Sequence, residues 1–367
     1  MHADPVLLRR RVGARRFTSQ GAGRAWPGGT RRVPALTMAC ALGSSLGLGA
    51  AACHPSRAAA PPRDAQISSV AVAPVVHEAA VDAAPRALGE PPSCPGVKPV
   101  RELGRLPERG LDEVSGLVAS RAHPGLLWVH NDSGDAPRVF AIASTGEVRH
   151  EVALNGAEAV DYEDIAIGPG PEPESTYLYV GDIGDNLARR AQVQIYRLKE
   201  PALGPDTPSR FSVDATRIDV RYEGGARDAE ALMMDPISGD LFIVAKAFLF
   251  FREAPVGIFR VARADLLKPA AVAHPVLQLP LGPVTAADVK ADGSGVAIRN
   301  YSNLFYWPRA PEQSLVEALA GVACPWPLAD TRRQGEALGF SADGQGYFTV
   351  SEGAQEPLYF YALESLP

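Results

Sequence analysis

The sequence lacks the usual signatures of catalysis. There is no HExxH pair and no P-loop, and the one match to a nucleophile elbow, Gly43-Ser44-Ser45-Leu46-Gly47, falls in a small, apolar segment near the N-terminus. Zincin, nucleotide-triphosphatase and α/β-hydrolase chemistry are excluded on these grounds. Histidine is scarce, with 7 in 367 residues, and His130 reads as a strand histidine rather than a general base. No dense Lys/Arg cluster occurs after residue 34, so a nucleic-acid surface has no electrostatic basis. Only 4 cysteines are present.

What the chain does have is a repeated phrase. It reads hydrophobic, aromatic, any residue, hydrophobic: Val139-Phe140-Ala141-Ile142, Ile195-Tyr196-Arg197-Leu198, Ile258-Phe259-Arg260-Val261, Leu304-Phe305-Tyr306-Trp307 and Leu358-Tyr359-Phe360-Tyr361. The aromatics lie 56, 63, 46 and 54 residues apart. A period near 50 marks one supersecondary unit copied along the chain. Each phrase is preceded by a β-rich run, such as Leu127-Trp128-Val129 or Phe242-Ile243-Val244, and that run by another, such as Asp164-Ile165-Ala166-Ile167 or Glu336-Ala337-Leu338. Asp/Gly/Ser turns link the first two runs, as in Asp292-Gly293-Ser294-Gly295.

A fourth run follows four of the copies: Glu147–Leu154, Phe211–Arg221, Pro275–Leu281 and Val316–Trp326. The fifth copy stops at Pro367 without one, and Val97–Leu103 supplies the missing strand from the other end. The expected fold is therefore all-β: a β-propeller of five four-stranded blades over residues 96–367, its last blade closed by the N-terminal strand. Six blades are the alternative, because the second copy is long. A β-sandwich gives no reason for a repeated order of four runs.

Residues 1–95 read differently. Residues 1–34 hold eight arginines and one acid, residues 35–52 are small and apolar, and Ala50-Ala51-Ala52 precedes Cys53. This order predicts an export signal over 1–52, with Cys53 at a lipoprotein-type cleavage site. Residues 53–95 are Ala- and Pro-rich and read as a tether between a lipid on Cys53 and the folded domain. The expectation is a protein exported from a bacterial cytoplasm, periplasmic or at the cell surface, touching the membrane only through its lipid, and monomeric. Of the remaining cysteines, Cys94 and Cys324 are expected to form a disulfide at the ring closure. Without residues 1–52 the chain keeps 28 basic and 41 acidic residues, a net charge of −13.

The acids recur at fixed places. Asp164, Glu230, Asp288 and Glu336 open four of the five first runs, with Glu113 just ahead of the other. Asp112, Asp161, Glu163 and Asp228 flank them. Innermost propeller strands line a channel, so one acid per blade predicts a carboxylate ring, which a cation would hold ionised. Oxygen donors in excess of histidine favour Ca²⁺. A second layer follows the second runs: Asn131, Asp182, Lys246, Arg299-Asn300 and Ser351-Glu352. Asp182 joins the metal candidates. Lys246 and Arg299, with Asn131 and Glu352, are candidates for holding a small anionic ligand.

Glu113-Val114-Ser115-Gly116-Leu117, Asp228-Ala229-Glu230-Ala231-Leu232, Gly335-Glu336-Ala337-Leu338 and Ser351-Glu352-Gly353 resemble the phytase-like propeller family, also called "esterase-like activity of phytase". The resemblance spans most of residues 110–362. It implies an exported propeller with acids at the channel mouth and calcium-dependent hydrolysis of phosphate esters. The residues themselves show no nucleophile or general base, so they favour a binding module for a small anion or a protein, with the calcium-dependent phosphoesterase as the alternative.

Overall fold

The computed structural model describes residues 94–246, 255–329 and 334–364. The segment expected to be an export signal, Cys53 and nearly all of the expected tether lie outside the described residues. No helix among the described residues is long and apolar enough to cross a membrane.

A closing strand, β1 (Arg101–Arg105), comes first. Four strands follow: β2 (Val114–Ala119), β3 (Leu126–Asn131), β4 (Arg138–Ala143) and β5 (Val148–Asn155). The second copy contains β6 (Tyr162–Pro169), β7 (Thr176–Asp182), β8 (Val193–Lys199), β9 (Arg210–Asp214) and β10 (Thr216–Tyr222). The third has β11 (Ala229–Met234), β12 (Leu241–Ala245), β13 (Val256–Val261), the short helix α1 (Arg263–Leu266) and β14 (Ala270–Leu279). The fourth has β15 (Val284–Val289), β16 (Gly295–Asn300), β17 (Leu304–Pro308), the helix α2 (Leu315–Leu319) and β18 (Cys324–Trp326). The last has β19 (Gly335–Phe340), β20 (Gly346–Ser351) and β21 (Pro357–Ala362).

Hydrogen bonding groups these strands into sheets of four, five, eight and four strands. The inner strands β2, β6, β11, β15 and β19 contact one another in that order, and β19 returns to β2. They are buried along nearly their whole length, as strands lining a packed ring must be. Hydrophobic cores fill the gaps between successive sheets. One joins Val118 and Trp128 to Ile165 and Tyr196, and another joins Leu117 and Phe140 to Ala337 and Leu358. The fold is a β-propeller. The aromatic phrase is its third strand: β4, β8, β13, β17 and β21.

The outer edges depart from the sequence reading. Phe211–Arg221 is not one strand: Asp214 ends β9, which pairs in parallel with β5, and β10 pairs with β8 and then in parallel with β14. That parallel pair sews the second and third copies into the eight-stranded sheet and covers edges that would otherwise be open. Val316–Trp326 is mostly not strand either. Ser314 caps α2 in a reciprocal capping box with Glu317, and only Cys324–Trp326 pairs with β17.

The closing strand is shifted from Val97–Leu103 to Arg101–Arg105, antiparallel to β21, with Val97 reaching a single bridge to Leu363. Closure is reinforced beside it. Cys94 is disulfide-bonded to Cys324 on β18, and Trp326 Nε1 donates to the Pro95 carbonyl. Tyr306, Trp326, Tyr347 and Tyr361 form a continuous ring stack across the fourth and fifth copies, with centroids 4.0, 5.1 and 4.5 Å apart.

Candidate metal centre at the channel mouth

All five inner strands carry a β-bulge at the same level. The register against the second strand slips between Val114 and Gly116, Tyr162 and Asp164, Ala229 and Ala231, Val284 and Ala286, and Gly335 and Ala337. The extra residue in each is Ser115, Glu163, Glu230, Thr285 or Glu336. A bulge redirects its side chain out of the normal alternation. Ser115 and Thr285 use it to reach the next inner strand, donating to the carbonyls of Glu163 and Gly335. The other three positions are glutamates.

This register corrects the predicted column. Glu230 and Glu336 share a level, and their third partner is Glu163. Asp164 lies one residue further in, level with Gly116, Ala231, Ala286 and Ala337; Asp288 lies two further still. Both aspartates are buried and spent on backbone amides. Asp164 accepts from Ile165, Leu232 and Ala287, lacing three inner strands together. Asp288 accepts from Val289 and from Phe340 on the next strand. Burial raises both acids, Asp288 to about 6. They are structural ties in the channel wall.

In the second layer Lys246 and Glu352 stand at the expected level, while Asn131, Asp182 and Asn300 fall one residue short of it. The residues just past the last pairs of the second strands are Asp132, Ile183, Lys246, Tyr301 and Glu352. Three of them donate a backbone N–H to the residue before an inner strand: Asp132 to Glu113, Lys246 to Asp228 and Glu352 to Gln334. The mouth is thus built in tiers: bulge residues, second-strand ends, and the rim residues Glu113, Asp161 and Asp228.

Seven carboxylates converge there, in three overlapping groups whose oxygens lie within 4.8 Å: Asp132, Asp161 and Glu163; Asp132, Glu336 and Glu352; Glu163, Asp228 and Glu230. Asp132 and Glu163 each belong to two groups. Among the described residues one cation forms an ion pair with this set, Lys246 with Glu230. Tyr301 donates to Glu336 at 3.2 Å. Tyr301 was not singled out from the sequence; the signal lay in its place one step past a strand end.

The other predicted residues support this mouth from outside. Asp182 is fully buried, accepts from the Val160 and Asp161 amides, and pairs with Arg190 at 2.7 Å, so it positions Asp161. Arg190 in turn holds the following loop through the Gly184 carbonyl and Gln194. The Asp185 amide donates to Asp228. Asn131 bonds Gly110 and Asp135 and belongs to the wall. Arg299 is fully buried, opposite Ala286 one step in from the bulge, and donates to the Ala337 carbonyl. Glu113 is exposed on the rim beside Asp132. His130 is buried, with Nδ1 against the Asn131 carbonyl and its pKa lowered by burial.

Crowding shows in the protonation of the acids. Burial first, and neighbouring carboxylates second, raise Asp132 to about 6. Glu163 is pushed well up by burial and by Glu230, and it shares a hydrogen bond with Glu230. Burial raises Glu230 to about 7 although Lys246 works against it. Burial and the bond to Glu352 take Glu336 to about 9. Each of these acids prefers its proton in the folded protein. Its stabilising effect is complete below the ordinary carboxylate range and is lost as pH rises through the raised value. In chelator-treated protein the thermal midpoint is expected to fall by about 5–10 °C between pH 5 and pH 9. Scanning calorimetry across that range checks this, and a flat profile contradicts it.

Gly184 is a second check. A Cβ there would overlap the carboxylates of Glu163 and Asp161. These are side-chain ends that can move, so Gly184→Ala is expected to leave the fold intact and weaken cation binding about tenfold, as read by calorimetric titration.

No protein-family model and no curated protein matches the chain. Among solved structures it is similar to the PQQ-bound form of an aldose sugar dehydrogenase from Streptomyces coelicolor, at 14% identity and a TM-score of 0.41, over 74% of this chain and 100% of that one. At this distance the likeness does not bear on the chemistry of the mouth.

Proposed function

We propose that this chain is a binding module whose channel mouth holds a hard divalent cation, Ca²⁺, and through it a small anionic ligand. The observation that carries the reading is the meeting of seven carboxylates with, among the described residues, one ion-paired lysine. The donors are all oxygen, several per site and on different strands and loops, which suits the high and flexible coordination of calcium better than that of zinc or copper. Two carboxyl–carboxylate contacts, Glu163–Glu230 and Glu336–Glu352, hold protons that a divalent ion displaces. A bound Ca²⁺ would supply positive charge to orient and polarise an anionic ligand. Lys246, tied to Glu230 at the same mouth, adds positive charge there.

The alternative is a calcium-dependent phosphoesterase or esterase, as the phytase-like resemblance implies. What favours it is Glu336, which keeps its proton to about 9 beside the Tyr301 hydroxyl, as a general acid requires. We further propose that the protein works outside the cytoplasm, tethered through lipid on Cys53. The order of basic, apolar and small residues before Cys53 and the Cys94–Cys324 disulfide support this.

Calorimetric titration of Ca²⁺ into the full chain, with Mg²⁺ and Zn²⁺ as comparators, tests the reading. Saturable binding with Ca²⁺ preferred supports it, and no binding of Ca²⁺ sinks it. Turnover of p-nitrophenyl phosphate or acetate by the calcium-loaded protein would move the assignment to the hydrolase.

A further inference from the structure

The inner strands run from the acidic mouth to an opposite end of different character. From Glu163 to Gly168, five residues along β6, the chain advances about 16 Å. There a cavity of about 310 Å³ opens between the far ends of β6, β11 and β15. Arg121, just past β2, lines it together with Thr176, Met234, Val289 and Lys290. Glu174 is the one acid in the lining.

Two cations at this end form no ion pair among the described residues. Arg121 forms no ion pair among the described residues, and its Nη1 is buried with no hydrogen-bond partner. The charge of Arg121 acts on Asp288 in the channel wall, but both oxygens of Asp288 are already committed to the Val289 and Phe340 amides. Lys290 likewise forms no ion pair among the described residues; the Asp292 charge acts on it, and it sits over the rings of Tyr306 and Phe340. A buried guanidinium donor left unmatched is costly, and a bound group that completes it relieves that cost.

We propose that this cavity is an anion site, separate from the cation mouth, in which Arg121 receives an oxyanion. The ligand class is a carboxylate or phosphate group on a small, partly apolar body. The guanidinium fork matches two oxygens of either group, and Met234 and Val289 offer apolar surface beside it. The channel is then polar from end to end, with acids and a cation at one mouth and an anion on Arg121 at the other. The site owes nothing to the calcium reading, because no residue of the mouth takes part in it.

The test uses the full chain in chelator and chloride buffer, titrated separately with inorganic phosphate and with succinate. Binding of either probe is expected, and the stronger probe identifies the group. Arg121→Gln is expected to weaken it at least about tenfold, with Arg121→Lys intermediate because it keeps the charge and loses the fork. An unchanged thermal midpoint confirms that the variants fold. Crystals of the unsubstituted protein soaked in selenate give an independent readout: an anomalous peak within hydrogen-bonding distance of Arg121 is expected. Failure of both probes to bind, binding unchanged in Arg121→Gln, or no peak at Arg121 would each overturn the proposal.

Discussion

Replacing Glu230 and Glu336 together by glutamine is expected to weaken Ca²⁺ binding at least about 100-fold while raising the thermal midpoint of the cation-free protein at pH 8. The two effects have one cause. Both glutamates sit on bulges that turn them into the mouth, and both are held above the ordinary carboxylate range by burial and crowding. At pH 8 Glu230 has been forced to ionise in a site that resists it, and Glu336 is close to doing so. Glutamine keeps the shape and removes that cost. Lys246 does not lose its environment, since Glu163 lies close enough to act on it. A purely structural role predicts the opposite sign, with stability lost in the double variant. Calorimetric titration and a thermal scan on the same sample separate the two accounts. Retained Ca²⁺ affinity would contradict the assignment.

Removing the Cys94–Cys324 bond is expected to lower the thermal midpoint by about 10–20 °C. The bond closes a loop of 230 residues, and the loop-entropy relation gives about 5 kcal/mol for that length. Its position concentrates the effect. Cys324 lies on the outer strand of the fourth sheet, while Cys94 leads through Pro95 and Val97 to the strand that completes the fifth. Breaking the bond frees the segment that pins the ring's last joint, leaving the Trp326–Pro95 hydrogen bond and the aromatic stack to hold it. Alanine at both positions suits the test, because Cys324 is fully buried and serine would bring an unmatched hydroxyl into an aromatic layer. A midpoint within about 2 °C of the parent would show that closure rests on strand pairing and stacking alone.

The repeated aromatic phrase made the fold legible because it is a packing signal. Phe140, Tyr196, Phe259, Phe305 and Tyr359 all lie on third strands, and Tyr196 and Phe259 are buried in the cores between sheets. The site was legible in content and blurred in register. Glu230, Glu336, Glu352 and Lys246 were found, but Asp164 and Asp288 were aligned with them. The reason is physical: a bulge inserts one residue into each inner strand, so counting by twos from the strand's apolar positions assigns the wrong face. Glu163 and Asp164 are adjacent acids with opposite roles, and only the pairing of Tyr162 with Asp182 and Asp164 with Gly181 tells them apart. The outer edges were least legible. Parallel pairing of β9 with β5 and of β10 with β14 depends on sheet neighbours that are distant in sequence.

The central claim is that the tiered acids at the channel mouth are a cation site and not a cluster held together by shared protons. The most direct measurement is a crystal structure of the full chain grown at neutral pH with millimolar CaCl₂. The account predicts an ion bound about 2.3–2.6 Å from several carboxylate oxygens drawn from Glu163, Glu230, Asp132 and Glu336, with the Glu163–Glu230 or the Glu336–Glu352 contact opened to admit it. A mouth that holds only water under those conditions, with both carboxyl–carboxylate contacts intact, would contradict it.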